Sequence, residues 1–342
     1  MILNDDLITR ESFDDSIIKN INSKKGIFKP QFCATMQWSE LKTNAVKMTY
    51  DSETVKKLID STFNQGIENI ILTFRSGIYD NEYTIAEDFN KYDEYIQYAM
   101  NKGIKVHALK LHIASSIYDI KNIIGYDLFK EKYIEIIKNI GNHFKKYDCK
   151  IFTVFNEYPH IYCEESWSSF TKECLDLSKA LGYKTGITHS NYELQTYTST
   201  TKTNGIEDGT SDIWQHVDYL LFNMYPQVSR EGEMIEAEDV INSFKSAKML
   251  YPYFRIKKNN PNLKLIISEI GVQDYYVALS YPAYYRWGSD AIPQDGYVQS
   301  LYLTGIFETL NKSFIESVWW YYDLNSVGYS DKVIKHYVRG EK

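Results

Sequence analysis

The strongest constraint on the fold of this chain is a regular alternation between short apolar runs and longer amphipathic segments. Eight runs of strand-forming residues occur along the 342 residues, at 28–37, 69–75, 105–112, 150–156, 184–189, 219–226, 264–271 and 318–323. Segments with helical spacing lie between them, at 55–63, 88–101, 128–144, 166–181, 213–217, 238–255 and 295–310. Strict alternation of strand and helix predicts a parallel sheet, and eight units close a barrel. The sequence therefore predicts an α/β fold, a single (β/α)8 TIM barrel.

The main competitor for this pattern is an open, doubly wound sheet. That fold commonly carries a glycine-rich turn after its first strand, and this chain has no G-x-G-x-x-G motif. No linker separates the alternating units, and no internal repeat is present beyond the alternation itself. We therefore predict one barrel domain at 27–342, preceded by a polar N-terminal extension at 1–26 with one helix near 13–21.

The overall charge and the cysteines limit the partners and cofactors. The formal net charge is -7 and the isoelectric point is near 5.6, so no basic face is available to neutralise the phosphates of a nucleic acid. No stretch reaches the roughly 18 apolar residues of a membrane span. The four cysteines lack zinc-ligand spacing and are expected to be buried thiols, with a disulfide between Cys163 and Cys174 left open.

The N-terminal sequence lacks the pattern of a signal peptide. Asp5, Asp6, Arg10 and Glu11 interrupt any apolar core near Met1. A secreted protein whose leader has been removed fits the same sequence. Localisation is therefore undetermined, with an extracellular or cell-surface position as the working expectation.

Polar and aromatic residues occur where the predicted strands end. Because the carboxyl ends of barrel strands form one face, and active sites lie on that face, these residues are expected to meet there. The candidate site residues are Arg75, Lys110, His112, Asn156, Glu157, Asn223, Tyr225, Glu269, Trp319 and Trp320. Taken singly, each has an ordinary structural explanation, and it is their coincidence on one rim that points to a functional site.

Two of these residues are glutamates at the ends of buried strands, Glu157 and Glu269. Retaining glycoside hydrolysis needs two carboxyl groups about 5–5.5 Å apart, one as proton donor and one as nucleophile. We expect Glu157 to be the acid/base, because neighbouring aromatic residues would desolvate it and raise its pKa. We expect Glu269 to be the nucleophile, held ionised by Arg75 and the Tyr225 hydroxyl.

Other members of the candidate site have expected roles in sugar binding. The Asn156 amide is placed to bond a sugar 2-hydroxyl, and Trp320 is expected to form the floor under the sugar beside the scissile bond. The remaining candidates are expected to contact substrate without an assigned step. The loops at 191–212 and 273–294 are expected to build the walls of the cleft.

Four motifs resemble those of clan A glycoside hydrolases: Val154-Phe155-Asn156-Glu157, Phe222-Asn223-Met224-Tyr225-Pro226, Ile267-Ser268-Glu269-Ile270-Gly271 and Val318-Trp319-Trp320. The order and spacing of these motifs match over about residues 27–325. Leu109-Lys110-Leu111-His112 and the end of the eighth strand look most like glycoside hydrolase family 113, the endo-β-1,4-mannanase group. The resemblance implies Glu157 as acid/base, Glu269 as nucleophile, Tyr225 as its hydrogen-bond partner and Trp320 as the sugar platform. It also implies a reaction without metal or cofactor.

The resemblance leaves the substrate open. Leu111 stands where a proline is usual, and Asn223 stands where many clan members have a histidine. The first expectation is an oligo- or polysaccharide of the β-1,4-mannan type, and the second is another β-linked cell-wall or capsular glycan.

Two rival functions come from other classes. A metal-dependent hydrolase on the same fold would need clustered ligands, yet no H-x-H or H-E-x-x-H motif is present, and His107 and His112 differ by five positions, which places them on opposite faces of a strand. A catalytically silent carbohydrate-binding barrel would keep aromatic loops without needing both glutamates. Loss of turnover with retained oligosaccharide binding in Glu269→Gln would separate an enzyme from such a module.

Overall fold

The structure of the chain is a computed structural model that describes residues 28–190, 205–228, 237–245, 250–279, 282, 296–321 and 329–339. The predicted N-terminal extension lies outside these residues, as do most of the two loops predicted to wall the cleft. The strands are β1 Gln31–Met36, β2 Ser39–Lys42, β3 Val46–Thr49, β4 Asn69–Tyr79, β5 Glu82–Ile85, β6 Lys105–Ile113, β7 Ile151–Thr153, β8 Phe155–Asn156, β9 Gly186–Ser190, β10 Tyr219–Asn223, β11 Lys264–Ile270 and β12 Ile315–Trp320.

Helices connect most of these strands. The α-helices are α1 Ser52–Asn64, α2 Phe89–Asn101, α3 Ile117–Asp119, α4 Tyr126–Phe144, α5 Pro159–Tyr162, α6 Ser168–Ala180, α7 Ala237–Lys245, α8 Tyr251–Asn259, α9 Tyr297–Thr309 and α10 Tyr329–Ile334. Short 3-10 turns occupy Lys145–Tyr147, Glu165–Trp167, Asp212–His216 and Tyr276–Leu279, and π-helical turns occupy Ile120–Ile124 and Lys335–Arg339. Among the described helices, none is long and apolar enough to cross a lipid bilayer.

The parallel strands form a barrel. Hydrogen bonding runs in the order β7-β6-β4-β1-β12-β11-β10-β9-β8. Its two ends, β7 and β8, are halves of the fourth barrel strand, separated only at Val154, so the order returns to its starting point. The single (β/α)8 TIM barrel predicted from the alternation is confirmed.

The local sequence explains where the helices begin. Asp51 precedes α1 in an extended conformation and its side chain accepts a hydrogen bond from the Thr54 amide, which satisfies one of the free N–H groups of the first turn. Asp88 caps α2 in the same way. The buried face of α1 carries Val55 and Ile59, four residues apart, so one stripe of the helix packs onto the barrel.

The core has the two layers of a filled barrel. A compact cluster occupies the interior and consists of Cys33, Ile71, Ala108, Ile151, Tyr219, Leu221, Ile266 and Trp319. A larger cluster lies between the strands and the surrounding helices. Strand residues therefore alternate between the interior and the helix layer, which places every second residue near the strand ends inside the barrel mouth. The four cysteines are buried, and none forms a disulfide.

The structure differs from the sequence-based expectation in several connections. In the described residues the segment predicted as one helix at 238–255 forms two helices, α7 and α8, and Leu250 lies outside both. A β-hairpin, β2–β3, follows the first barrel strand, and β4 runs past Arg75 to pair with β5 in a second hairpin. Neither hairpin was predicted, because their short polar runs resemble loops.

Replacement of Gly186 by alanine is expected to destabilise the barrel by about 1–3 kcal/mol, because an added methyl would overlap the Tyr219 carbonyl oxygen and the Leu221 side chain. The obstructing oxygen is backbone of the neighbouring strand and cannot rotate away. Thermal or urea unfolding measures the effect. Lys105→Ala, at an exposed strand end, serves as a control expected within about 0.5 kcal/mol of wild type. An unchanged unfolding midpoint for Gly186→Ala would contradict the tight strand contact.

Candidate active site

The residues predicted from strand ends come together at the carboxyl-terminal mouth of the barrel. Arg75 on β4 lies in register with His112 on β6, and Lys110 precedes His112 by two positions on the same strand. Asn156 ends β8 and is followed directly by Glu157. Further round the rim the structure places Asn223 at the end of β10, Tyr225 two residues later, Glu269 on β11, and Trp319 and Trp320 at the end of β12.

Both carboxylate oxygens of Glu269 have hydrogen-bond donors. The Lys110 ammonium forms an ion pair with Oε1 of Glu269 and also donates to the Ser268 carbonyl at 3.3 Å. The Tyr225 hydroxyl donates to the other oxygen, Oε2, at 3.0 Å. Glu269 is 8 % exposed and the Lys110 side chain 1 %, so this ion pair is shielded from solvent. The two contacts fix the plane of the carboxylate.

A chain of hydrogen bonds links the strands on either side of the two glutamates. The Ser268 hydroxyl donates to Asn223 Oδ1 at 2.7 Å, and Asn223 Nδ2 donates to Asn156 Oδ1 at 3.4 Å. Asn156 Nδ2 lies 2.7 Å from His112 Nδ1. Ser268, Asn223 and Asn156 are buried, and His112 is partly buried. The bonds between them hold the side chains around the glutamates in one arrangement.

Glu157 has an unusual backbone and an unusual side-chain environment. Its φ of +48° lies in the left-handed region, which is costly for a residue with a side chain, and its amide donates to the Thr188 carbonyl at 3.0 Å. Burial, and then the nearby charge of Glu269, raises the pKa of Glu157 to about 7, against smaller opposing effects of an Asn223 hydrogen bond and the Lys110 charge. Glu157 is therefore substantially protonated at neutral pH.

His112 is an uncharged member of the site. Burial, followed by the charges of Arg75 and Lys110, lowers the pKa of His112 to about 3. Because the Asn156 amide nitrogen can only donate, Nδ1 of His112 accepts that bond and the ring proton is assigned to Nε2. The ring therefore offers an N–H donor from Nε2.

The position of Arg75 differs from the expectation that it holds Glu269. Lys110, rather than Arg75, forms the ion pair with Glu269, and the buried Nε of Arg75 has no hydrogen-bond partner. The Arg75 backbone amide donates to Glu87 at 2.7 Å. Glu87 also accepts from the Ser39 hydroxyl at 2.7 Å, and burial raises the pKa of Glu87 to about 7. Glu87 follows the unpredicted β4–β5 hairpin, and no sequence pattern pointed to it.

The aromatic residues of β12 also differ from the expectation. Trp319 belongs to the interior cluster and its indole donates to Ser317, whereas Trp320 contacts Tyr302 of α9 with ring centroids 6.4 Å apart. Both tryptophans are fully buried, so neither presents a ring face for a sugar in this structure. Tyr321, the next residue, is partly exposed and lies with its ring centroid 6.0 Å from the Lys110 ammonium. In the described part of the chain the Tyr321 ring therefore lies beside the ion pair. Its place after the two tryptophans was its only sequence signal.

This arrangement can separate an acid from a nucleophile. Glu269 is ion-paired and its carboxylate is held in one orientation. The charge of Glu269 helps to raise the pKa of Glu157, which therefore retains a proton near neutral pH. Two carboxyl groups in unequal environments are the acid/base and nucleophile pattern of retaining glycosidases. Within the described residues, no group of three or more His, Cys, Asp or Glu side chains is arranged to hold a metal ion.

A protein-family model for cellulases, glycosyl hydrolase family 5, matches residues 30–324. This range contains all the candidate site residues. Glycoside hydrolases of clan A include this family, in agreement with the resemblance drawn from the strand-end motifs. No protein with a curated description matches the chain in sequence.

Solved structures of glycoside hydrolases share the fold. A family 113 β-1,4-mannanase is 15% identical, with a TM-score of 0.61 and coverage of 92% of this chain and 99% of that one. A family 113 β-mannanase from Alicyclobacillus acidocaldarius is 11% identical, with a TM-score of 0.59 and coverage of 89% of each chain. The cellulose synthase subunit Z of Clostridioides difficile is 15% identical, with a TM-score of 0.55 and coverage of 90% and 99%. At these identities the likeness concerns the fold alone.

Proposed function

We propose that this chain, which belongs to the cellulase family of glycoside hydrolases (glycosyl hydrolase family 5), is a retaining glycosidase that cleaves a β-linked polysaccharide with Glu157 and Glu269. The observation that supports the proposal is the difference between the electrostatic environments of the two glutamates. Glu269 is ion-paired with Lys110 and bonded by Tyr225, whereas Glu157 has a pKa raised to about 7.

The proposed reaction has two displacements. In the first, Glu157 gives its proton to the glycosidic oxygen while a carboxylate oxygen of Glu269 attacks the anomeric carbon and the bond to the leaving sugar breaks. In the second, Glu157 takes a proton from a water molecule whose oxygen attacks the same carbon, and Glu269 leaves as a carboxylate. The Tyr225 hydroxyl keeps the attacking carboxylate in one plane through both steps.

The other residues of the mouth are proposed to bind sugar hydroxyl groups. Arg75 has guanidinium donors without a hydrogen-bonded carboxylate, and His112 carries an N–H on Nε2. Tyr321 takes the platform role first expected of Trp320, because its ring is partly exposed beside the ion pair. Lys110, Asn156 and Asn223 are proposed to act chiefly by positioning the glutamates, since their polar atoms already bond within the site.

The first substrate to test is β-1,4-mannan. Two of the solved structures with this fold are named as β-mannanases, and the Leu109-Lys110-Leu111-His112 segment resembles that group. The experiment is a product screen over soluble mannan, glucomannan, cellulose derivatives, xylan and bacterial cell-wall and capsular glycans, read by chromatography of the released oligosaccharides. Release from mannan supports the mannanase proposal. Release only from another β-glycan would support the glycosidase proposal with a different substrate. Release from none of the glycans would contradict the proposed activity.

The pH dependence of kcat/KM is expected to be bell-shaped, with its alkaline limb near pH 7. A raised pKa keeps Glu157 protonated and able to donate below about pH 7, and the rate falls above that pH as the proton is lost. The rate is expected to fall at low pH because the first displacement needs an ionised carboxylate as the attacking group. Initial rates at substrate concentrations well below KM, from pH 4 to 9, measure the profile. A rate that rises through one ionisation and then stays flat to high pH would contradict the acid role of Glu157.

A further inference from the structure

One buried cation, the Lys110 ammonium, interacts with both glutamates. Lys110 reaches from β6 into the barrel mouth, where its ammonium contacts Glu269 and the Ser268 carbonyl. The charge of the same ammonium lowers the pKa of Glu157, partly offsetting the effect of burial and of Glu269. Lys110 is therefore a cation that pairs with one carboxyl group and lowers the pKa of the other.

The other charged and titratable groups around Glu157 do not compete for this role. His112 is uncharged, and the Tyr225 hydroxyl donates a hydrogen bond to Glu269. The Arg75 charge lowers the pKa values of His112 and Glu87, but Arg75 is not among the groups that shift the pKa of Glu157. Within the described part of the chain, Lys110 alone forms an ion pair with either glutamate.

We propose that Lys110 is the permanent counter-ion of a single negative charge that passes between Glu269 and Glu157 during turnover. This inference rests on the proposed function. In the free enzyme the charge is on Glu269, and Glu157 holds the proton. After the first displacement Glu269 is a neutral ester, and Glu157, having given its proton to the departing sugar, is the anion. The second displacement returns the proton to Glu157 and the charge to Glu269.

The physical reason for a shared counter-ion is the cost of an unpaired buried charge. An ammonium without an anion is expensive in a site of low dielectric, and so is a carboxylate without a cation. The lysine ammonium has three donors on a rotatable stem, and its charge acts on Glu157 as well as on Glu269, so no second cation is needed when the negative charge moves. The ammonium then has one anionic carboxylate at every stage of the cycle, and neither charge is left unpaired in the buried site.

Lys110→Met tests the inference. We expect kcat/KM to fall by roughly 10²-fold, the effect of removing one electrostatic stabiliser from an active site. We also expect the alkaline limb to move to higher pH, because the ammonium lowers the pKa of Glu157 and its loss raises that pKa. Lys110→Arg keeps the charge and is expected to keep the alkaline limb near its wild-type position. The control is Lys105→Met, at the exposed opposite end of β6, which is expected to match wild type.

A second readout needs no substrate. Carbon-13 NMR titration of the Glu157 carboxyl, assigned with Glu157→Gln, is expected to show a higher midpoint in Lys110→Met than in wild type or Lys110→Arg. Thermal unfolding of each variant verifies that it is folded. An active wild type with an unshifted midpoint, or an unshifted alkaline limb, in folded Lys110→Met would overturn the counter-ion role alone. A wild type that cleaves no glycan would overturn the proposed function, and with it the turnover role, even if the midpoint shifts.

Discussion

Glu269→Gln is expected to lower kcat by roughly 10⁴-fold or more, on the scale seen when the nucleophile of a two-step hydrolase is removed. The amide cannot form the glycosyl ester, and it also leaves the Lys110 ammonium without its anion. Oligosaccharide binding is expected to persist, because the sugar-binding groups proposed on the other strands are unchanged. Initial rates measure the first effect, and calorimetric titration with an oligosaccharide measures the second.

The matched control for this variant is Glu316→Gln. Glu316 lies on the neighbouring strand β12 and pairs with Lys264 at the surface, so its loss is expected to leave kcat unchanged. Turnover by Glu269→Gln within tenfold of wild type would contradict the nucleophile assignment. If wild type and variant bind an oligosaccharide equally and neither cleaves it, the chain is a carbohydrate-binding barrel instead.

Glu157→Gln is expected to slow polysaccharide hydrolysis by roughly 10²–10⁴-fold, the usual contribution of general acid catalysis. The loss should be much smaller for the first step with an aryl glycoside whose nitrophenolate leaves without a proton. The alkaline limb of the pH profile should also disappear, because the group responsible for it is gone. Parallel kinetics with polysaccharide and nitrophenyl glycoside measure the difference.

Azide provides a further readout for the same residue. In Glu157→Ala, azide needs no general base and is expected to attack the glycosyl-enzyme, giving a β-glycosyl azide and a faster release of the second product. Glu164→Gln, an exposed glutamate in the following loop, is the control and should keep wild-type rates. Equal losses with both classes of substrate, together with no effect of azide, would contradict the acid/base assignment.

The strands of the barrel, and the positions of both glutamates at strand ends, were predictable because their signals are local. Each strand is a short apolar run, and Glu157 and Glu269 end two of them. The boundaries that failed were those where local signals are weak. The helix predicted at 238–255 forms two helices in the described residues. The hairpin strands β2, β3 and β5 are only four residues long and mix polar with apolar side chains.

The contacts of the site could not be predicted, since they depend on which way each strand-end side chain points. Adjacent residues on a strand face opposite sides, and irregular pairing of β11 with β12 between Ile267 and Ile270 changes the register near the mouth. Trp320 consequently packs against Tyr302 rather than facing a sugar, and Tyr321 faces the site. Arg75 and Lys110 both end on the rim, and sequence alone could not decide which of them reaches Glu269.

The measurement that tests the double displacement most directly is the configuration of the first sugar product. Proton NMR during the opening minutes of hydrolysis, before the anomers equilibrate, distinguishes α from β at the new reducing end. The closely spaced carboxyl pair proposed for Glu157 and Glu269 predicts that a β-linked substrate first yields the β-anomer. Initial appearance of the α-anomer would mean that water attacks the substrate directly, and would exclude Glu269 as a nucleophile.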